Sequence, residues 1–203
     1  MAVSISGAIL AGGQSRRMGY DKAALLIDGE PLLLRTARLM GGVVSELAII
    51  GPPERADLVP DTPVTPDSWP NCGPLGGIAT ALQSPRSGEA VVVVGCDMPF
   101  LNPALLRYLI TLVSEADAVV VHLDGQAHPL HALYQRRCLP TIEAQLTTGD
   151  LRVHRFLTQI KVRYVEAPEL DQFDPAHLST FNCNTLDEWQ QALRLLEQMH
   201  TTH

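Results

Sequence analysis

The chain has 203 residues, 46% of them hydrophobic and 18% charged, as in a globular protein large enough to bury its own core without disulfides or metals. Fifteen basic and 22 acidic side chains give a net charge of −7, which argues against nucleic acid or an anionic membrane as partner, since Lys and Arg bind these. No apolar run approaches the roughly 18 residues of a membrane span. We therefore expect one cytoplasmic domain over residues 1–203.

The first half of the chain predicts three strand–loop–helix units. The strands are expected at 4–10, 46–50 and 91–94, and the helices at 31–40, 73–82 and 103–113. Continuous apolar runs such as the four valines at 91–94 are typical of strands that are buried on both faces. The pattern therefore predicts an α/β fold, with a mostly parallel sheet between two layers of helices.

The second half predicts strands that run in both directions. A strand at 118–122 and the turn at Asp124-Gly125 precede a further strand at 131–134, so the sheet is expected to be mixed on this side. The remaining elements are two short helices at 139–146 and 151–159, strands at 162–165 and 180–183, and a closing helix at 186–199.

A proline-rich segment connects the second predicted strand to the second predicted helix. Seven of the fifteen prolines fall between Pro52 and Pro74, and a loop of this length in a compact domain is usually functional or disordered. Within it, Trp69 could cover a ligand or anchor the loop to the body. Asp67 could form a turn, or it could accept hydrogen bonds from the N–H groups of a base that rests on Gly76 and the glycine after it.

The most distinctive segment follows the first predicted strand and runs from Leu10 to Lys22. It reads Leu-Ala-Gly-Gly-Gln-Ser-Arg-Arg-Met-Gly-Tyr-Asp-Lys. Its glycines leave backbone amides open to an anion, and Arg16, Arg17 and Lys22 would attract a polyphosphate. The alternative is a solvated basic turn. The spacing fits neither the phosphate loop of the NTPases nor a dinucleotide fingerprint.

A single carboxylate stands at the end of the valine strand. Asp97 follows at the carboxyl end, where open α/β sheets bind their ligands. A carboxylate there suits Mg²⁺, which keeps several waters and is shared with substrate phosphates. The alternative is that Asp97 caps the following helix.

Two polar segments of the second half are candidates for the wall of an acceptor pocket. His128 and His131 lie three residues apart, but without a third ligand a pocket wall is favoured over a zinc site. In the segment that starts at Asn182, Asn184 or Thr185 is expected to cap the closing helix while the other faces the site.

No serine, cysteine or histidine arrangement indicates a covalent nucleophile. The four cysteines, Cys72, Cys96, Cys138 and Cys183, form no Cys-x-x-Cys pair, which is typical of reduced thiols that fill the core of a cytosolic protein. We therefore expect direct displacement at a phosphate, driven by positioning and charge neutralisation.

Five motifs together resemble the molybdenum cofactor guanylyltransferases of the MobA type, within the Rossmann-like nucleotidyltransferases. In order, they are L-A-G-G-x-S-R-R-M-G-x-D-K at 10–22, G-P-L-x-G at 73–77, C-D-x-P at 96–99, H-P at 128–129 and N-x-N-T at 182–185. The resemblance covers nearly the whole chain. It implies a three-layer Rossmann-like fold and the transfer of GMP from GTP to the terminal phosphate of molybdopterin, with Mg²⁺ as cofactor and pyrophosphate as second product.

The resemblance also implies roles for individual residues. Nucleotide binding is implied for Leu10, Ala11, Gly12, Gly13, Arg17, Lys22, Asp67, Gly76 and Asp97. Asp97, Lys22 and Arg16 would be catalytic, and Asp97 would also bind the metal. Acceptor contacts are expected at His128, Pro129, Asn182 and Asn184. The nucleotide would thus bind to residues 1–100 and the acceptor to residues 101–203, with proteins that deliver or receive the cofactor as further partners.

One position departs from the family pattern, and one alternative stays open. Gly51 stands where family members often have Asn, so that nucleotide contact is not carried over. The alternative function is a cytidylyltransferase that acts on molybdopterin or on a sugar or polyol phosphate. Gly13 favours the larger guanine base, because related cytidylyl enzymes tend to have Ala there. A non-catalytic nucleotide-binding module is a further alternative, which Asp97 and the basic segment argue against.

Overall fold

The structure is a computed structural model that describes residues 3–12, 21–84 and 86–201, the side chains of residues 200 and 201 apart. Its strands are β1 (Ile5–Leu10), β2 (Leu26–Ile27), β3 (Glu30–Pro31), β4 (Leu47–Ile50), β5 (Val64–Thr65), β6 (Ala90–Gly95), β7 (Ala118–Leu123), β8 (Gln126–Gln135) and β9 (Val162–Val165). Its α-helices are α1 (Leu32–Gly41), α2 (Gly73–Gln83), α3 (Pro103–Thr111), α4 (Leu139–Thr147), α5 (Val153–Leu157), α6 (Ala167–Leu170) and α7 (Leu186–Thr201).

Seven strands form one sheet in the order β5-β4-β1-β6-β8-β7-β9. β8 pairs antiparallel with both β6 and β7. The other pairings in the sheet are parallel. The predicted mostly parallel, mixed sheet is therefore confirmed.

The core lies on both faces of this sheet, which explains the uninterrupted apolar runs of the sequence. On β6, Val92 and Val94 pack with α1 and α3 on one face. Val91 and Val93 pack with α2, α4 and α5 on the other face. Each of these valines is at most 1% exposed, and burying such a side chain contributes about 1.5–3 kcal/mol. The sheet therefore lies between two layers of helices, which gives the three-layer architecture.

The closing helix α7 packs beside a small ribbon rather than on the main sheet. Its Trp189 and Leu196 form a separate cluster with Ile27 and Leu32. The ribbon consists of β2 and β3, an antiparallel pair that the sequence pattern did not predict. This packing brings the start of α7 close to the segment that carries Lys22.

Three predicted elements differ from the structure. Residues 180–183 are not a strand: a 3₁₀ turn at Leu178–Thr180 is followed by extended chain outside the sheet. The helix predicted at 151–159 is confined to α5, and the strand predicted at 131–134 extends over the whole of β8. The hairpin pairing with β7 explains the extra length of β8, since Gln126–His128 pair with Val121–Leu123 of β7, whereas the pairing with β6 covers only His131–Gln135.

None of the helices in the described residues combines the length and the apolar character that crossing a membrane requires.

Candidate active site

A cleft lies at the carboxyl ends of the four parallel strands β5, β4, β1 and β6. It has a volume of about 290 Å³, and β1 and β6 flank the point where the strand order reverses, the usual ligand position in open α/β sheets. Its lining residues are Leu10, Ala11, Gly12, Asp21, Lys22, Ala23, Ile50, Arg55, Asp67, Gly73, Pro74, Gly77, Gly95, Cys96, Asp97 and Leu130. The cleft thus collects the described parts of the motifs that follow β1 and β6.

Lys22 is the central cation of this cleft. Its Nζ lies 3.3 Å from Asp97 Oδ2 and donates a 2.7 Å hydrogen bond to Asn184 Oδ1. The three residues come from the beginning, the middle and the end of the chain, and their meeting joins the predicted phosphate segment, the predicted metal ligand and the start of α7. Asn184, predicted as an acceptor contact, here accepts from Lys22, which is predicted to bind the nucleotide.

Asp97 is held at the end of β6 by its neighbours. A Cβ at position 95 would lie 2.7 Å from Asp97 Oδ1, so Gly95 leaves the space that the carboxylate occupies. The Cys183 N–H donates to the Asp97 carbonyl at 2.9 Å. The alternative role as a helix cap is wrong, because Asn102 caps α3 by accepting from the Ala104 N–H at 2.9 Å.

Asp67 lies in the cleft and also forms a turn. Its Oδ1 accepts hydrogen bonds from Thr80 Oγ1 at 2.7 Å and from the Trp69 N–H at 2.9 Å. Thr80 is 1% exposed, so the carboxylate is oriented by a buried hydroxyl of α2. The two readings of Asp67, as turn former and as site residue, are compatible.

The two glycines at the start of α2 have different surroundings. A Cβ at Gly77 would approach Leu10 Cδ1 to 2.8 Å, so the lack of a side chain at Gly77 lets α2 pack closely against Leu10. A Cβ at Gly76 would lie 2.7 Å from the Trp69 carbonyl oxygen. Gly76, the predicted nucleotide contact, therefore packs against the loop, and Gly77 lines the cleft. Trp69 packs against the core beneath, which makes it an anchor of the proline-rich loop.

Arg55 is a site residue that the sequence analysis missed. It lies in a 3₁₀ turn, Pro53–Asp57, within the proline-rich segment. Its Nε donates to the Ala11 carbonyl at 3.1 Å, and its Nη1 pairs with Asp21 Oδ2. The only signal in the sequence is an arginine in a long loop after a strand, which does not distinguish it from a surface arginine.

The predicted acceptor residues on β8 lie next to the cleft rather than in its lining. The lining residue of this strand is Leu130. Pro129 accepts a 2.8 Å hydrogen bond from the Tyr134 hydroxyl. His128 is half-buried, and burial lowers its pKa. His131 points into the core, where burial lowers its pKa to about 4 and neither ring nitrogen has a partner within the described part of the chain.

The start of α7 shows the expected arrangement, in which one of two neighbouring residues caps the helix and the side chain of the other faces the site. Thr185 Oγ1 accepts from the Glu188 N–H at 3.2 Å, and Glu188 Oε2 accepts from the Thr185 N–H at 2.8 Å. This reciprocal capping leaves the Asn184 side chain for Lys22. Asn182 lies half-buried in the extended chain just before.

The thiol in the cleft is unsuited to nucleophilic attack. Burial and the neighbouring Asp97 raise the pKa of Cys96 to about 12, so the thiolate is scarce at neutral pH. Cys138 and Cys183 are buried, as predicted, whereas Cys72 and Cys96 are half-buried.

Comparison with known proteins identifies the family. The MobA-like NTP transferase domain matches residues 7–164. The chain belongs to this family. The match includes most of β1, the proline-rich segment, α2, Asp97 and the β7–β8 hairpin, and it covers every residue that lines the cleft.

Two relatives match nearly the full length of this family member. One, from Pelotomaculum thermopropionicum, is named "Probable molybdenum cofactor guanylyltransferase" and is 34% identical over 97% of this chain and 95% of its own. The other, from Desulfosudis oleivorans, is named "Molybdenum cofactor guanylyltransferase" and is 31% identical over 93% and 94%.

Three solved structures share the fold of this MobA-like chain. Molybdopterin-guanine dinucleotide biosynthesis protein A from Archaeoglobus fulgidus has a TM-score of 0.84 at 24% identity, over 95% of this chain and 99% of that one. The 4-diphosphocytidyl-2C-methyl-D-erythritol synthase from Anaerococcus prevotii has a TM-score of 0.70 at 16% identity, over 97% of each. The protein Rv0371C from Mycobacterium tuberculosis, solved as a complex with manganese, has a TM-score of 0.64 at 19% identity, over 94% of this chain and 98% of that one.

Some predicted residues of the family motif lie outside the described residues. They are Gly13, Arg16 and Arg17. Leu10, Ala11, Gly12, Lys22, Asp67 and Asp97 all line the cleft. The structure therefore brings together the described nucleotide-binding candidates, Gly76 excepted.

Proposed function

We propose that this MobA-like nucleotidyltransferase transfers GMP from GTP to the terminal phosphate of molybdopterin and releases pyrophosphate. The observation that carries the proposal is the meeting of Lys22, Asp97 and Asp67 in one cleft. A cation, a carboxylate for a metal and a carboxylate for a base are what a nucleoside triphosphate requires. The names of the relatives support the identity of the base and of the acceptor.

Guanine recognition is assigned to Asp67. Its Oδ1 is engaged by Thr80 and by the Trp69 N–H, so we assign Oδ2 to the ring and exocyclic N–H groups of guanine. Gly77 lets Leu10 pack against α2 at the side of the cleft, and the backbone at Ala11 and Gly12 would contact the nucleotide. Because a carboxylate only accepts hydrogen bonds, it favours guanine over bases that present acceptors at the same edge.

The residues of the cleft fit Mg²⁺. In the described segments, no three His, Cys, Asp or Glu side chains gather into a protein-only metal cage. A single carboxylate that opens into a nucleotide cleft is nevertheless the usual protein share of a Mg²⁺ site, in which phosphates and water supply the rest. Asp97 would hold the ion, which when bound neutralises charge on the nucleotide phosphates.

Lys22 would stabilise the triphosphate and the departing pyrophosphate. Its contacts with Asp97 and Asn184 hold the ammonium group in the cleft. Arg16 and Arg17 are assigned to the same anion because their guanidinium groups match phosphate oxygens. Since the described residues of the cleft include no activated nucleophile, the acceptor phosphate would attack the α-phosphate directly, and positioning would provide most of the rate enhancement.

The acceptor is assigned to the second half of the chain, residues 101–203, and the nucleotide to residues 1–100. The candidate acceptor contacts are His128, Pro129, Asn182 and Asn184. We further propose that the enzyme works in the cytoplasm, where its four free cysteines would stay reduced. Proteins that deliver molybdopterin or receive the product would be its partners.

Calorimetric titration of GTP, CTP, ATP and UTP, with and without Mg²⁺, tests the nucleotide assignment. We expect GTP to bind best, with Mg²⁺ tightening the binding, and Asp67→Asn to reduce the preference for GTP over CTP about ten-fold, since one charge-assisted hydrogen bond is weakened. Pyrophosphate release on mixing GTP with molybdopterin then tests the reaction. Tightest binding of CTP would replace the proposal by a cytidylyltransferase, and binding without pyrophosphate release would indicate a carrier.

A further inference from the structure

Arg55 occupies a position in the cleft that none of the five motifs includes. Its side chain is only 12% exposed although it belongs to a loop, and it lines the same cavity as Lys22 and Asp97. An arginine that is largely withdrawn from water needs partners for its guanidinium group. The identity of those partners indicates what the residue does.

The guanidinium group joins two points that are close in space and separated along the chain. Nε donates to the carbonyl oxygen of Ala11 at 3.1 Å, and Nη1 donates to Oδ2 of Asp21. Ala11 is the first residue after β1, and Asp21 directly precedes Lys22. The two partners therefore lie at either end of the distinctive glycine and arginine segment.

The partner at the far end controls the placement of Lys22. Asp21 Oδ1 accepts a 3.1 Å hydrogen bond from the Ala23 N–H and thereby caps the 3₁₀ turn Lys22–Ala24. Ala23 is 1% exposed, so this turn is packed into the core. Arg55 holds the second oxygen of the same carboxylate. The side chain that starts the turn is thus fixed from both sides.

The partner at the near end is held equally closely. The Ala11 N–H donates to the Ile50 carbonyl at 2.8 Å, and a Cβ at position 51 would lie 3.1 Å from the Ala11 carbonyl oxygen. Gly51 therefore allows the chain after β1 to lie against the end of β4. The Arg55 side chain satisfies the Ala11 carbonyl from the same loop.

We propose that Arg55 is a positioning residue, which ties Ala11 to Asp21 and so places the Lys22 turn for the triphosphate. The inference rests on the proposed nucleotide function. The rival role is that of a simple cation, in which Arg55 attracts the phosphates by charge alone. The two roles make opposite predictions for Asp21: removal of its charge breaks the tie, but it would release a simple cation for the phosphates.

Nucleotide affinity of four variants separates these roles. Arg55→Met and Asp21→Asn should each weaken GTP binding about ten-fold, because each removes a hydrogen bond between charged groups, and the double variant should be no weaker than the single ones. Asn remains a good helix cap, so Asp21→Asn preserves the turn itself. Arg55→Lys should bind as weakly as Arg55→Met, because a lysine keeps the charge without the fork of donors.

Arg38→Met is the matched control. Arg38 makes two hydrogen bonds to Glu30, at 3.0 and 2.9 Å, at an exposed site on α1, and its loss should leave GTP affinity unchanged. Unchanged or tighter GTP binding by Asp21→Asn, or full recovery in Arg55→Lys, would overturn the positioning role.

Hydrogen exchange without nucleotide tests the tie independently of the proposed function. The amide of Ala23 should exchange about ten-fold faster in Arg55→Met than in the wild type, while amides of α4 keep their rates. Unchanged exchange at Ala23 would contradict the proposal even if GTP binds as expected. Faster exchange at Ala23 in Arg55→Met, together with a wild type that binds no GTP, would instead refute the proposed function and still support the role of Arg55 in joining Ala11 to Asp21.

Discussion

The two sides of the central sheet build their parts of the cleft in different ways. Between β5 and β6 the strands are parallel, so four successive loops emerge at one edge and place Asp67, Arg55, Lys22 and Asp97 around one space. Beyond β6 the sheet contains the antiparallel strand β8. A strand that runs in the opposite direction brings its middle rather than its end to the site, and it contributes Leu130.

This difference determines which functional residues can be recognised from local sequence. On the parallel side, a polar residue directly after an apolar strand lies at the ligand edge by topology alone. On the antiparallel side the middle of a strand reaches the site, and within any strand residues one position apart face opposite sides of the sheet. His131 accordingly lies in the core, and Leu130 lines the cleft.

The largest effect is expected on the parallel side, from Asp97→Ala. Turnover should fall at least about 10³-fold, because the variant loses the carboxylate proposed to hold Mg²⁺, and the Mg²⁺ dependence of GTP binding should disappear. Pyrophosphate release and calorimetry measure the two effects. Asp150→Ala, which removes a surface partner of Arg152, is the control. Near wild-type turnover of Asp97→Ala would refute the central role of this side.

The antiparallel side should instead dominate the pH dependence of stability through His131. Its pKa is about 4 in the folded protein, against about 6.5 in the unfolded chain. Between these values the unfolded state binds more protons, so acidification from pH 6.5 to 4 should lower the free energy of unfolding by up to about 3 kcal/mol. Above pH 6.5 the contribution vanishes.

Urea unfolding of His131→Leu at pH 7 and pH 4.5 measures this contribution. The variant should lose less stability on acidification than the wild type, whereas exposed His154→Leu should behave like the wild type. Equal losses in both variants would show that His131 does not carry the pH dependence.

Replacement of the central cation should have the next largest effect. Lys22→Ala should lower kcat/KM about a hundred-fold, mainly through KM for GTP, since a lysine that contacts phosphates contributes a few kcal/mol. Lys161→Ala, which removes an exposed lysine of the second half, provides the comparison. A loss confined to kcat would mean that Lys22 acts on the reacting phosphate rather than on triphosphate binding.

Asn184→Ala should have the smallest effect, and it tests how strictly the two sides are separate. Because Asn184 Oδ1 accepts from Lys22 Nζ, we expect KM for GTP to rise about five-fold, as for the loss of one hydrogen bond. Gln190→Ala, at an exposed position on α7, should change neither KM for GTP nor KM for molybdopterin. If instead only KM for molybdopterin rises, Asn184 belongs to the acceptor side, as the sequence pattern first suggested.

Much of the fold could be predicted because strong local patterns coincide with the tertiary environment. The valines at 91–94 predicted a strand buried on both faces, and α2 and α3 begin at the predicted residues. The strand predicted at 180–183 was wrong because its apolar residues Phe181 and Cys183 serve another purpose. Cys183 is fully buried against α7, and its N–H bonds to the Asp97 carbonyl rather than to a strand partner.

The residues of the candidate site likewise include some that the sequence predicted and one that it did not. The sequence predicted that four residues assemble at the strand ends, because each belongs to a short motif at the end of one strand. These residues are Leu10, Gly12, Lys22 and Asp97. Arg55 could not be found, because its two partners lie 44 and 34 residues away and only the folded loop brings them within hydrogen-bond distance.

By itself the amino-acid sequence determined the layered fold and the family, and it predicted an anion-binding segment together with a carboxylate that could hold a metal. These properties depend on apolar periodicity and on residues that are close along the chain. The tertiary structure alone decided that Arg55 ties the ends of that segment, that Asn184 contacts Lys22, and that Leu130 rather than His131 faces the cleft. The physical reason is that strand direction, loop path and helix docking set distances between residues far apart in sequence, which local patterns do not encode.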